Sequence, residues 1–186
     1  MRVGVLALQG DFGAHTKALA RAGAEPVEVR TAAELDSVGG LVIPGGESTT
    51  MLKLMSYYEL FNPLRAFGAD RPVFGTCAGA ILIASEVLNP AQASLGLVDL
   101  TIERNGYGRQ LDSRVVNVEQ HGLGGDPELE VVLIRAPIIR RTGGRVLASY
   151  LDSPILVDYG RHMAATFHPE LTEDTRVHAL FLSKLI

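Results

Sequence analysis

The chain has 186 residues and one cysteine, Cys77. Cys77 lies in Gly75-Thr76-Cys77-Ala78-Gly79, between a short apolar strand-like run and an apolar helix-like run. This is the spacing of the G-x-S-x-G nucleophile elbow, with sulfur in place of oxygen. An elbow holds its nucleophile in a strained turn from strand to helix, and the flanking glycines clear the packed neighbours. The N-terminus of the following helix favours the thiolate, which is the reactive form of the thiol. The competing reading of a lone cysteine is a buried structural thiol.

A cysteine nucleophile needs a base. Of five histidines, His168 stands out in Phe167-His168-Pro169-Glu170. Pro169 biases His168 toward an extended backbone, and residues two apart in an extended chain project to the same side. Glu170 is thereby expected to reach the His168 ring, fix its tautomer and stabilise the imidazolium, the third-group role in triad chemistry. An incidental surface ion pair is the alternative for His-Pro-Glu taken alone. His15 and His178 sit in helical patterns and read as surface or packing residues. Pro44-Gly45-Gly46-Glu47-Ser48 ends a strand and opens a helix. Its N–H groups suit an oxyanion or a carboxylate, or else make a tight turn in which Glu47 or Ser48 lies near a cap. The Gly45–Gly46 peptide carries no Cβ on either side and can reorient at little steric cost, which makes it a candidate gate. Arg104 and Arg135 each end a predicted strand. Each could grip a carboxylate with two hydrogen bonds, although most such arginines are solvated. Gln9-Gly10-Asp11-Phe12-Gly13 lacks the G-x-G-x-x-G spacing, and no Walker A run, cysteine pair or H-x-x-x-H is present, so no cofactor and no metal site is argued.

The elements that must position these groups alternate in the first half. Strands are predicted at residues 3–8, 26–30, 40–43 and 72–74. Helices are predicted at 12–22, 31–36, 48–57, 63–67 and 78–88. After residue 95 the pattern becomes strand-rich, with segments at 97–103, 114–119, 131–135, 145–150, 155–159 and 162–167, before a closing helix at 172–185. Residues 138–165 carry no motif. The expected fold is three-layer α/β: a mainly parallel central sheet flanked by helices, with antiparallel strand additions in the second half. Ligands of such sheets bind past the carboxyl ends of the strands, where the loops at 9–13, 44–48 and 75–79 fall.

Length predicts a single domain, 1–186, that can bury roughly 70% of its unfolded surface without a disulfide. Lys+Arg 17 against Asp+Glu 21 gives a net charge of -4, against a nucleic-acid binder. Residues 3–8 form an apolar run too short for a signal peptide, and Asp11 follows with no small-residue cleavage site. No run is long enough to span a bilayer. The expected location is the cytoplasm.

Taken together, these residues resemble the triad-type (class I) glutamine amidotransferases and, among them, the glutaminase subunits of pyridoxal 5′-phosphate synthase. The likeness is carried by Val5-Leu6-Ala7-Leu8-Gln9-Gly10, Gly45-Gly46-Glu47-Ser48-Thr49-Thr50 and the Cys77 elbow. Glu103-Arg104-Asn105 with Tyr107-Gly108-Arg109-Gln110, Ile134-Arg135-Ala136-Pro137 and Phe167-His168-Pro169-Glu170-Leu171-Thr172 complete it. The resemblance implies hydrolysis of L-glutamine to glutamate and ammonia, with Cys77 attacking, His168 moving protons and Glu170 orienting His168. It further implies an oxyanion hole from the N–H groups of Gly46 and Ala78, and a glutamine pocket lined by Gly46, Glu47, Ser48, Arg104, Ile134 and Arg135. The ammonia would pass to a separate synthase (lyase) subunit in a large hetero-oligomer, and pyridoxal phosphate itself would bind elsewhere. A different elbow-cysteine protein of similar fold, of the stress-response or protease-like kind, is the alternative.

Overall fold

The computed structural model describes residues 1–105 and 113–185, so Tyr107, Gly108, Arg109 and Gln110 lie outside the described residues. Strand β1 (Arg2–Leu6) leads through helix α1 (Phe12–Arg21) to β2 (Glu25–Val29). Helix α2 (Ala32–Asp36) leads to β3 (Leu41–Ile43), and helices α3 (Ser48–Tyr57) and α4 (Phe61–Asp70) lead to β4 (Val73–Thr76). The start signals are local. Asp11 accepts from the Ala14 N–H at the head of α1, and Thr31 and Glu34 form a reciprocal capping box on α2. A strand that returns through a helix enters the sheet parallel to its predecessor, and β1 pairs in parallel with β2 and β3, and β3 with β4.

The second half adds α5 (Ala78–Ile83), β5 (Ala84–Leu88), β6 (Val98–Glu103), β7 (Ser113–Val118), β8 (Leu129–Ile134), β9 (Ile138–Thr142), β10 (Arg145–Tyr150), β11 (Ser153–Asp158), β12 (Met163–Ala165) and α6 (Arg176–Leu182). The central sheet has seven strands in the order β10-β11-β12-β4-β3-β1-β2. Strand β12 joins β4 in parallel, and β10 and β11 extend the edge antiparallel. Both faces of the sheet are covered, which is why its strands read as continuous apolar runs. Leu41 and Ile43 pack into one core with Met51, Met55, Leu64 and the sheet β5-β6-β9. Val42 points the other way, into a second core with Leu19, Val177, Phe181 and the β7–β8 hairpin.

Three expectations need correction. The helix predicted at 78–88 ends at Ile83, and Ala84–Leu88 is strand β5, paired in parallel with β6. The Ser85 hydroxyl is bonded to both the N–H and C=O of Leu100, so a distant strand outcompetes the local helix pattern. The helix predicted at 172–185 is regular only at Arg176–Leu182. The side chains of Thr172 and Asp174 accept from the N–H groups of Asp174 and Arg176 and hold a capped turn ahead of it. Residues 138–165 hold strand β9, which pairs antiparallel with β6 although the sequence shows no motif for it.

Candidate active site

The loops after β1, β3 and β4 meet at the carboxyl end of the sheet, and glycine lets them do so. A Cβ on Gly10 would stand against the Gly45 carbonyl oxygen, and one on Gly79 against the Ile43 carbonyl oxygen. A Cβ on Gly75 would approach backbone atoms of Gly79 at 2.4–2.5 Å. The elbow therefore needs both of its glycines for packing, as its spacing predicts. Cys77 itself sits at φ 48°, a strained conformation for a residue with a Cβ. The Ala165 carbonyl accepts from its N–H at 2.8 Å, and α5 begins at the next residue. Ala78 opens that helix, so its N–H is among the donors a helix leaves without an internal partner.

His168 is brought to Cys77 by β12 and the chain just beyond it. Its N–H donates to the Val132 carbonyl of β8 at 2.9 Å. Pro169–Leu171 then forms a 3₁₀ turn, so it is this turn, rather than extended alternation, that swings Glu170 back onto the ring. Nδ1 of His168 lies 2.7 Å from Oε1 of Glu170, Cys77 is the other group that raises the pKa of the ring, and the thiol lies 3.9 Å from the Ile134 carbonyl oxygen. With Nδ1 engaged by the carboxylate, Nε2 is the nitrogen left for the thiol. Burial opposes the charge on His168, but the hydrogen bonds to Cys77 and Glu170 outweigh it and raise the pKa from 6.5 to about 10. A Cβ on Gly45 would lie 2.4 Å from Cε1 of His168 and 3.3 Å from Cβ of Cys77, so only glycine fits against this pair.

Around Cys77 opens a cavity of about 350 Å³. Gly46, Glu47, Ser48, Ala78, Arg104, Ile134, Arg135 and His168 line it, all of them expected there; Glu170 stands behind His168, fully buried. Gln9, Ile81 and Asn105 also line it and were not singled out as pocket residues. Gln9 had a signal, since it ends the first apolar run. Its Oε1 accepts from the Glu47 N–H at 2.8 Å and fixes the 44–48 loop. The Gly45 carbonyl faces Gly10 on the β1 side of that loop. Across a trans peptide the Gly46 N–H points away from that carbonyl.

Glu47 is the N-cap of α3. It accepts from the N–H groups of Thr49 and Thr50 and from both hydroxyls. The Thr49 hydroxyl bond leads, burial opposes it, and together the bonds depress the Glu47 pKa from 4.5 to about 2. The ionised carboxylate lies 3.4 Å from the Arg104 guanidinium, at the cavity wall. Arg135 follows β8 at φ 44°, a second strained residue on the same rim.

His15 and His178 differ from their expectation as ordinary surface or packing residues. Both are completely buried, and they are bonded to each other at 3.1 Å. His15 also reaches Thr76, the residue before Cys77, and lies 3.2 Å from the second oxygen of Glu170. A helical period reveals that a residue faces inward, but not which polar atom waits there.

Residues 5–186 match the model of the SNO glutamine amidotransferase family. The chain is 60% identical to the "Pyridoxal 5'-phosphate synthase subunit PdxT" of Solibacter usitatus, over 99% of each chain. It is 53% identical to the protein of that name from Koribacter versatilis, over 98% of this chain and 94% of the relative. A crystal structure of a glutamine amidotransferase superposes with a TM-score of 0.90 at 46% identity, covering 98% of both chains. A putative GMP synthase subunit from Thermoplasma acidophilum, 17% identical with a TM-score of 0.70 over 100% of this chain and 94% of that one, shares the fold.

Proposed function

The chain belongs to the SNO glutamine amidotransferase family, and on that premise we propose that it is the glutaminase subunit of a pyridoxal 5′-phosphate synthase, acting in the cytoplasm as one domain, 1–186. It hydrolyses L-glutamine to glutamate and ammonia, and the ammonia passes to a separate synthase subunit in a hetero-oligomer. The observation that carries this reading is the file of thiol, imidazole and carboxylate, Cys77, His168 and Glu170, at the floor of the cavity.

The chemistry follows from the raised pKa of His168. A basic imidazole beside a thiol takes its proton as the sulfur attacks, and the imidazolium so formed is the acid for the leaving group. The Cys77 sulfur attacks the side-chain amide carbon of glutamine, and the carbonyl electrons move onto oxygen. The N–H groups of Gly46 and Ala78 hold that oxyanion. His168 gives its proton to the amide nitrogen, the C–N bond breaks and ammonia leaves a thioester on Cys77. His168 then takes a proton from water, the hydroxide attacks the thioester, and the C–S bond breaks to release glutamate and the thiolate. Glu170 stabilises the imidazolium in each half. Arg104 and Glu47 place a cation and an anion on one wall of the cavity, matching the carboxylate and ammonium of the substrate's amino-acid end. Ser48, Ile134 and Arg135 shape the rest of the pocket.

The test is glutamate and ammonia release from L-glutamine by the chain mixed with its synthase subunit. Turnover that disappears in Cys77→Ala is expected; turnover that survives it rejects the nucleophile.

A further inference from the structure

Glu170 has two oxygens, and the triad uses one of them. Oε1 accepts from Nδ1 of His168 at 2.7 Å. Oε2 is buried and makes no aligned hydrogen bond. The polar atom facing it is Nε2 of His15, 3.2 Å away, and both side chains are fully excluded from solvent. A buried carboxylate oxygen facing no positive edge is costly, so the state of the His15 ring matters to the triad.

The hydrogen-bond pattern fixes that state. His15 has Thr76 Oγ1 and Glu170 Oε2 at Nε2, and Nε2 of His178 at Nδ1. Nδ1 of His178 has no hydrogen-bond partner among the described residues. If His15 carried its proton on Nδ1, the bare lone pair of its Nε2 would face the carboxylate. His178 would then have to accept at Nε2, leaving an N–H donor orphaned in the core at Nδ1. With the proton on Nε2 both problems vanish. The His15 N–H points at the Thr76 hydroxyl with the carboxylate oxygen beside it, and Nδ1 accepts from the Nε2–H of His178. Of the four ring nitrogens, only an unprotonated one, Nδ1 of His178, is then left unpaired, the cheaper omission.

We propose that His15 is a positioning residue for the triad carboxylate: from helix α1 its Nε2–H faces the second oxygen of Glu170 and, with His178 fixing its tautomer, holds that carboxylate in line with His168. Both buried rings stay neutral. Burial, then the charge of His178, then that of His168 drive the His15 pKa well below 6.5. Burial, and then Arg21, lowers that of His178 to about 4, with Asp174 opposing. The groups facing Glu170 are thus His168 on one side and neutral His15 on the other, with Thr76, His178, Arg21 and Asp174 behind.

This rests on the glutaminase reading, and the experiment separates the two. Nitrogen-15 NMR of the imidazoles in the unaltered chain is expected to show both His15 and His178 as Nε2–H tautomers; an Nδ1–H tautomer at His15 overturns the proposal without any variant. The rate of Cys77 alkylation by iodoacetamide against pH reads the thiolate–imidazolium pair without substrate. His15→Leu should move its acid limb to higher pH, because a misaligned carboxylate stabilises the imidazolium less. In the complex with the synthase subunit, His15→Leu should lower kcat about 10- to 100-fold with KM changed less than about twofold. His15→Gln, whose amide N–H reaches toward the place of Nε2–H, should recover most of both losses. A folded His15→Leu with an unaltered alkylation profile, or a His15→Gln as impaired as His15→Leu, rejects the role. Absence of glutamine turnover in the unaltered complex would instead count against the glutaminase reading, leaving the tautomer and alkylation results to decide this one.

Discussion

His168 and His178 are both buried imidazoles in one chain of polar contacts, with Glu170 and His15 between them. Their chemistry nevertheless runs in opposite directions. Among the described residues His178 has only neutral His15 at hydrogen-bond distance, so burial wins and lowers its pKa to about 4. His168 suffers the same penalty, but contacts a thiol through one nitrogen and a carboxylate through the other, and its pKa rises to about 10. His162, which accepts from the Val73 N–H and has no acid beside it, follows His178, again at about 4. Burial makes a histidine neutral by default; two acidic neighbours are what turn this one into an acid–base group.

Removing the thiol breaks the contrast most severely. Cys77→Ala should cut glutamine hydrolysis by at least about 10³-fold, while the melting temperature, read by calorimetry, shifts by only a few degrees, because alanine fits the elbow. Removing the carboxylate comes next. Glu170→Gln should lower kcat about 10²- to 10⁴-fold and bring the His168 pKa, measured by NMR titration, down toward that of His178. A His168 pKa that stays high in that variant would show that the thiol alone accounts for the difference.

If the Gly45–Gly46 peptide is a gate, glutamate production by the isolated chain should be low and should rise about tenfold or more on titration with the synthase subunit, as docking selects the orientation with the Gly46 N–H toward Cys77. Full activity alone, unchanged by titration, removes the gate. At the substrate's other end, Arg104→Ala should raise KM for glutamine about tenfold, the cost of one lost charge-assisted contact, while iodoacetamide alkylation of Cys77 stays as it was.

The smallest effect is in stability against pH, and its sign separates the two kinds of histidine. His178 and His162 bind protons more readily unfolded than folded. Their contribution is complete above about pH 6.5 and declines as pH falls toward about 4. His168 binds its proton more tightly when folded, so its contribution is complete below about pH 6.5 and is lost as pH rises toward about 10. Denaturant midpoints across pH 4–10 should therefore fall at both ends. Glu170→Gln should flatten the alkaline side and His178→Phe the acid side.

The juxtaposition of Cys77, His168 and Glu170 was legible because its signals are local. An elbow is a five-residue pattern with a steric reason for each glycine, and His-Pro-Glu sets a ring and a carboxylate two residues apart, although a 3₁₀ turn and not an extended chain brings them together. The alternation of strands and helices through residue 76 was legible for the same reason, since each parallel unit carries its own period and its own caps. Strand β5 was misread as helix because Ala84–Leu88 owes its form to β6, whose residues begin ten positions later. Strand β9 went unseen for a similar reason, being defined by its pairing with β6. Likewise spacing marks Arg104 and Arg135 only as strand ends and the family resemblance is what placed them, with Ile134, in the pocket; the packing of the small sheets beside the large one is the physical reason those ends reach Cys77. His15 lies 155 residues before the carboxylate it faces. Period and spacing act over a few residues, and they determined which groups are able to react. Which groups support them across such a separation depends on three-dimensional packing, and that was decided only when helix α1 settled against the sheet and set its one buried ring beside Glu170.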